Sequence, residues 1–184
     1  MTWKEKVDLA DGSALQIERY VRFHWRRSLG VGGASTGEGE RESRLSIDDA
    51  TGDPPVWHGP LIPVLLDRDP ANSELVLITT SARCKYWNAH GEPDPPYWTF
   101  RLHGGAWQVT EIPESFYGRT PNLFHDYNDE DGGRLSTDDV ESRKRSQIRY
   151  ATIDSLTRII RASRDFRCSH SYKPPASAAE GESQ

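Results

Sequence analysis

Apolar and polar side chains alternate from residue 15 to residue 25. Leu15, Ile17, Val21, Phe23 and Trp25 take one face, and Gln16, Glu18, Tyr20, Arg22 and His24 take the other. A period of two is the signature of an extended strand with one face on a core. Arg19 interrupts the apolar face, which argues for a place near a sheet edge. Upstream, Trp3, Val7 and Leu9 share one parity and Asp11-Gly12 supplies a turn. Residues 3–25 therefore read as a β-hairpin.

Further strands follow from the same logic. Leu45 and Ile47 alternate with Arg44 and Ser46, after a Gly-, Ser- and Glu-rich stretch over 28–42 that reads as a mobile loop. Thr51 to Pro55 turns the chain. The apolar runs 61–66 and 75–80 are too short for helices and read as buried strands, with Pro63 at an edge or a bulge. Tyr97–Leu102 and Ala106–Ile112 flank His103-Gly104-Gly105 as a second hairpin, in which Trp98, Phe100 and Leu102 share a face. Beyond residue 113, Ser136 offers an N-cap to a helix running to about Arg149. Ile153, Leu156, Ile159 and Ile160 form an apolar stripe opposite Asp154, Arg158 and Arg161, predicting a second helix. The expected class is α+β: a mainly antiparallel sheet of about seven or eight short strands, then one or two C-terminal helices. Residues 1–167 are expected to form one domain, and 168–184 a disordered tail.

Leu, Ile, Val and Phe supply only 35 of the 184 residues. Such a share with a high net charge would signal disorder, but the net charge is −5, and six Trp and seven Tyr add apolar surface. No run is long enough to span a bilayer, so no transmembrane span is expected. The slight acidity argues against a general nucleic-acid binder, and no nucleic-acid partner is expected. Charge is polarised along the chain. Residues 111–142 carry nine acids and two arginines, whereas residues 143–167 carry eight Lys/Arg and two Asp. Either the two regions compensate one another, or one docks onto a partner of opposite charge. An adaptor for nucleic acid using 143–167 is the weakest reading.

No motif assembles an active site. Gly33-Ala34-Ser35-Thr36-Gly37 matches the nucleophile-elbow pattern but lies in a Gly-rich acidic loop without the following helix. Asp126, Asn128, Asp129, Glu130 and Asp131 suggest a calcium loop, yet counting from Asp126 puts Asp131 where Gly is required and Thr137 where Glu is required. Cys84 and His90 are six residues apart without an orienting third group. The six histidines have no zinc-ligand spacing, and no nucleotide motif is present, so no metal and no cofactor is expected. Cys84 and Cys168 are either a disulfide closing a long loop or two reduced thiols. The start, Met-Thr-Trp-Lys-Glu-Lys, lacks a basic and an apolar leader region. Either a cytoplasmic protein or a chain whose leader has been removed is expected.

A block of residues resembles a known family. It reads Cys84-x-Tyr86, Gly91-x-Pro93-x-Pro95-Pro96-Tyr97, Phe100-Arg101, Gly105-x-Trp107, Ile112-Pro113 and Asn122-Leu123, with Trp3-x-Glu5-Lys6-Val7, Asp11-Gly12 and Ile17-Glu18-Arg19 near the start. Over roughly residues 3–123 the chain resembles a family of small proteobacterial envelope proteins, periplasmic or lipoprotein-type. The resemblance implies the periplasm or cell envelope, with a lipid anchor in a full-length precursor, although no lipid-attachment Cys stands at the start. It brings no catalytic residues. Independently of it, Pro93, Pro95 and Pro96 stiffen the approach to the strand at Tyr97.

The function expected from the sequence is non-enzymatic protein–protein binding in the bacterial envelope. Its concrete form is an immunity protein that neutralises an antibacterial effector delivered by type VI secretion. The candidate binding residues are Tyr97, Trp98 and Trp107 at hairpin ends, with a charged rim of Asp126, Asp129, Glu130 and Asp131. The alternative is an enzyme with Cys84, His90, Asp126 and Glu130 as participants, and the alternative location is the cytoplasm.

Overall fold

The computed structural model describes residues 1–24, 40–48, 54–81, 84–125, 135–150 and 157–162. The described chain runs β1 (Thr2–Asp8), β2 (Ala14–His24), β3 (Glu40–Ile47), β4 (Val56–Gly59), β5 (Ile62–Arg68), β6 (Leu75–Thr80), α1 (Cys84–Ala89), β7 (Tyr97–His103), β8 (Ala106–Thr110), a 3-10 turn at Glu114–Phe116, and α2 (Thr137–Tyr150). Strands β1 to β4 form one antiparallel sheet in chain order, and β5 to β8 form another. Eight strands with few helices make this a mainly antiparallel α+β fold, as expected from the alternating patterns.

Burial follows the alternation. In the first sheet Trp3, Val7, Ile17, Val21, Leu45, Ile47 and Trp57 are all buried on one face. Most of that face meets Leu66, Leu75 and Leu77 of the second sheet, with Leu61 and Leu123 alongside, so the sheets pack face to face. Trp57 and Phe100 meet edge to face at 5.5 Å across this interface. Toward the other end, Trp3 and Val21 are covered by Phe124, Leu135 and Val140 instead. The second sheet is buried on both faces along β5 and β6. Its outer face carries Ile62, Val64, Val76, Ile78 and Tyr97 against Phe116, Ile159 and Ile160. That double burial explains why these two runs read as continuously apolar rather than alternating.

Pro63 sits on an edge strand, at a bulge between Pro63 and Leu65, the two places that tolerate a residue with no N–H. Gly104 and Gly105 join β7 to β8 with φ of 57° and 82°, the left-handed pair demanded by a tight two-residue hairpin loop. Ser136 caps α2: its Oγ accepts the Asp139 N–H at 3.1 Å.

Several expectations are corrected. Arg19 lies on β2, between β1 and β3 in the middle of its sheet, and is fully buried. The charge is tolerated there because Glu5, diagonal to it across β1, lies 3.9 Å away and the Trp3 ring flanks the guanidinium at 5.2 Å. Strand β3 begins at Glu40, so residues 40–42 are paired with β2 rather than part of the loop. Two short elements, β4 and α1, have no counterpart in the sequence reading. Ile159 and Ile160 are buried, but their backbone is not helical; Ile159 exchanges hydrogen bonds with Gly118 and Arg119. Residues 28–39, the Gly33–Gly37 motif, residues 151–156 and the 168–184 tail lie outside the described residues, as does the Cys84–Cys168 pairing.

Candidate functional site

The Pro-rich block is built as a scaffold. Strand β6 leads through α1 into a bend at 91–96 before β7 begins. Helix α1 ends because Gly91 adopts φ 82°, with the Glu92 N–H returning to the Trp87 carbonyl at 3.0 Å. A left-handed glycine closing a helix in this way is the usual stop. The indole of Trp87 is buried and donates to the Pro93 carbonyl at 3.1 Å. The Thr80 hydroxyl donates to the Pro96 carbonyl at 2.9 Å and the Thr79 hydroxyl to the Trp98 carbonyl at 2.8 Å. Three hydrogen bonds thus fasten the bend to β6 and α1, and the fourth fastens the start of β7 to β6.

On this scaffold sits an aromatic patch. His90 is exposed and stacks on Tyr86 with ring centroids 3.8 Å apart, and its Nδ1–H donates to the Tyr86 carbonyl at 2.7 Å. Tyr86 meets Trp98 edge-on at 5.6 Å. Tyr86 and Trp98 are both half-buried. Burial pushes the Tyr86 phenol above its ordinary pKa, so it stays a neutral donor. Among the described residues neither the Tyr86 hydroxyl nor the Trp98 indole N–H makes a hydrogen bond within the chain. Two aromatic bodies are therefore held in place with their polar ends unused.

The other candidate residues go elsewhere. Tyr97 points to the opposite face of its sheet and is buried; its hydroxyl donates to the Arg158 carbonyl and accepts the Ile160 N–H, both at 3.2 Å. Trp107 is half-buried on β8 and packs at the edge of the inter-sheet core. Asp126, Asp129, Glu130 and Asp131 lie outside the described residues, as does the Cys84 side chain. The structure thus joins Trp98 to Tyr86 and His90 and separates it from Tyr97. Tyr86 is the residue that spacing alone does not single out. Its signal is positional: residues 86 and 90 are one helical turn apart, followed by a Gly stop at 91.

A second polar cluster closes the far end of β6 and β7. Arg101 donates to Asp69 at 2.9 Å and to Glu74 at 3.0 Å, and the other Glu74 oxygen receives His103 at 2.5 Å. His103 first, then Arg101, hold the Glu74 carboxyl below its usual range. Nearby, Arg119 pairs with buried Asp67. A separate open depression of about 330 Å³ is lined by Tyr117, Gly118 and residues 158–162; its Arg161 is already engaged by Glu114. Among the described residues no group of three or more His, Cys, Asp or Glu is placed to hold a metal ion. Among them, too, no helix is long and apolar enough to cross a membrane.

No protein-family model matches the chain, and neither a curated protein nor a solved structure is found similar to it.

Proposed function

We propose that the protein acts by binding another protein through the Tyr86–His90–Trp98 patch. The observation that carries this reading is the pair of half-buried aromatics whose hydrogen-bonding ends are unspent on a rigid base. Tyr and Trp in this state lose little side-chain entropy on docking and dominate interface energetics. The proposed setting is the bacterial envelope, and the proposed partner a secreted antibacterial effector of the type VI kind, which the protein caps as an immunity protein. The support for that setting is the resemblance carried by Tyr86, Gly91, Pro93, Pro95, Pro96 and Trp107.

The test is affinity capture from lysate of the host, with wild type and Tyr86→Ala/His90→Ala side by side and folding checked by thermal melts. A stoichiometric partner held by wild type and lost by the double variant is the expected result. Equal recovery by both proteins would remove the patch from the function. Protection of cells from the captured protein's toxicity then separates an immunity role from a general adaptor.

A further inference from the structure

Each four-stranded sheet has two edges, and three of the four edges are guarded. Strand β1 is covered by the chain returning after residue 134: the Leu135 N–H reaches the Thr2 carbonyl, and Lys144 of α2 reaches the Lys6 carbonyl. Strand β5 is covered by 121–124, where the Asn122 side chain pairs with both the N–H and the carbonyl of Leu66 and the Leu123 N–H bonds to Val64. Strand β4 is four residues long, with Pro54 and Pro55 before it and Pro60 after it. These are the usual devices that stop a sheet from growing.

Among the described residues strand β8 carries no such hydrogen-bonded cover, and β4 of the first sheet lies near it without bonding to its main chain. The β8 sequence, Ala106-Trp107-Gln108-Val109-Thr110, holds no charge and no proline, in a chain of which 28% of residues are charged. Val109 is 77% exposed, the most exposed large apolar side chain among the described residues. Register adds the direction of its main chain. The tight Gly104-Gly105 loop makes His103 and Ala106 a hydrogen-bonded pair. Alternation then turns Ala106, Gln108 and Thr110 toward β7 and leaves the N–H and carbonyl of Trp107 and Val109 pointing away from it.

We propose that β8 pairs antiparallel with β8 of a second copy of this chain, about a two-fold axis at Gln108. This register is the one that overlaps the whole strand. It sets Trp107 against Val109 of the second copy as a hydrogen-bonded pair, Ala106 against Thr110, and Gln108 against its own equivalent. An aromatic beside a β-branched residue is a favourable cross-strand pair, and every position in the ladder is uncharged. A neutral strand is complementary to itself without like-charge repulsion, while the acidic Glu111 falls opposite the Gly105 turn. The pairing covers Val109 and joins the second sheets of two molecules into one continuous sheet, an isologous contact that closes on itself and stops.

Sedimentation of the full chain over a wide concentration range tests this directly. The expected mass is twice 20.8 kDa at high concentration, falling to 20.8 kDa on dilution. Val109→Pro removes an outward N–H and leaves the β7 ladder intact, and Val109→Lys adds a charge to the edge; both are expected to halve the mass. Gln108→Cys is expected to form a covalent dimer on mild oxidation, because a non-hydrogen-bonded pair brings Cα atoms to about 4.5 Å, within disulfide range. Thr110→Cys and wild type, which both keep Cys84 and Cys168, are the controls and are expected to form none. A wild type that stays monomeric overturns the proposal. So does a dimer that survives both Val109 variants and is not trapped by Gln108→Cys.

Discussion

Glu5 and Arg19 stand diagonally across β1 and β2, 3.9 Å apart and both fully buried. The two halves of the pair are unequally supported. The Glu5 carboxylate accepts the Trp3 indole N–H at 2.9 Å and the Phe124 N–H at 3.3 Å. All three Arg19 guanidinium nitrogens are buried without a hydrogen bond, and burial pushes the group down to about 10, against the pull of Glu5. Removing Glu5 therefore strands a bare buried cation and two donors, whereas removing Arg19 leaves a carboxylate that keeps both donors. Glu5→Ala is expected to cost roughly 3–5 kcal/mol, the range for breaking a buried pair, and Arg19→Met less, because Glu5 keeps its two donors. The double variant is expected to recover part of the Glu5→Ala loss. Urea midpoints decide it, and an Arg19→Met that costs more than Glu5→Ala would refute the asymmetry.

Asn122 makes a second long-range clasp. Its carbonyl accepts the Leu66 N–H at 3.0 Å, and its amide donates to the carbonyls of Leu66 at 2.8 Å and Asp8 at 3.1 Å. It thereby bridges the two sheets on the β1–β5 side. Three net bonds at about 1 kcal/mol each predict a loss of about 3 kcal/mol for Asn122→Ala. Asn122→Asp is nearly isosteric but cannot donate, so it turns two attractions into repulsions and is expected to unfold at lower urea than Asn122→Ala. The reverse order would mean that space filling, not hydrogen bonding, is the role of this side chain.

Much of this fold is legible in the sequence, for reasons that differ by element. Strand β2 is readable because a half-buried strand writes its burial into a period of two, and β5 and β6 because burial on both faces leaves an apolar run. Pro63 even reports its edge. Arg19 misleads because the edge rule sees one strand at a time, while Glu5 and Trp3, which make the charge tolerable, come from another. Strand β4 is too short for its alternation to register: its pattern is a single buried Trp57 between Val56 and His58. Helix α1 has six residues and no apolar repeat, and it forms because Trp87 and Gly91 tie its end to the Pro-rich bend. The aromatic patch inherits this blindness. Trp98 stands out by type, but its companions are chosen by α1, and Tyr97 is taken by the far face through the parity of β7.

Glu74 gives a pH signature. His103 and Arg101 lower its folded pKa below the ordinary 4.5. A depressed carboxyl contributes stability that is present above its unfolded pKa and is lost as pH falls through the folded value. Glu74→Gln is expected to melt below wild type at pH 7, with the gap closing as pH drops beneath 4.5. Melting curves taken from pH 7 downward check this, and a gap that stays constant at acid pH would assign the stabilisation to packing. High salt is expected to narrow the gap at pH 7, because Glu74 is partly exposed.

Tyr97 fixes the last described segment to the outer face of the second sheet. Its hydroxyl serves the Arg158 carbonyl and the Ile160 N–H at once, and burial holds it neutral beyond the ordinary phenol range. Tyr97→Phe keeps the ring in its apolar cluster and removes both of these bonds. The buried Ile160 N–H is then left without an acceptor, a cost of roughly 1–3 kcal/mol. Ile159 remains tied to Gly118 and Arg119, so the effect is local rather than global. Hydrogen exchange at the Ile160 amide is expected to accelerate by one to two orders of magnitude on that free-energy scale. Trypsin cleavage after Arg158 and Arg161 is expected to quicken, while protection in β6 stays as in wild type. Unchanged exchange at Ile160 would show that Ile159 and its neighbours hold the segment without the phenol; faster exchange throughout β6 would show that the segment and the sheet unfold as one unit.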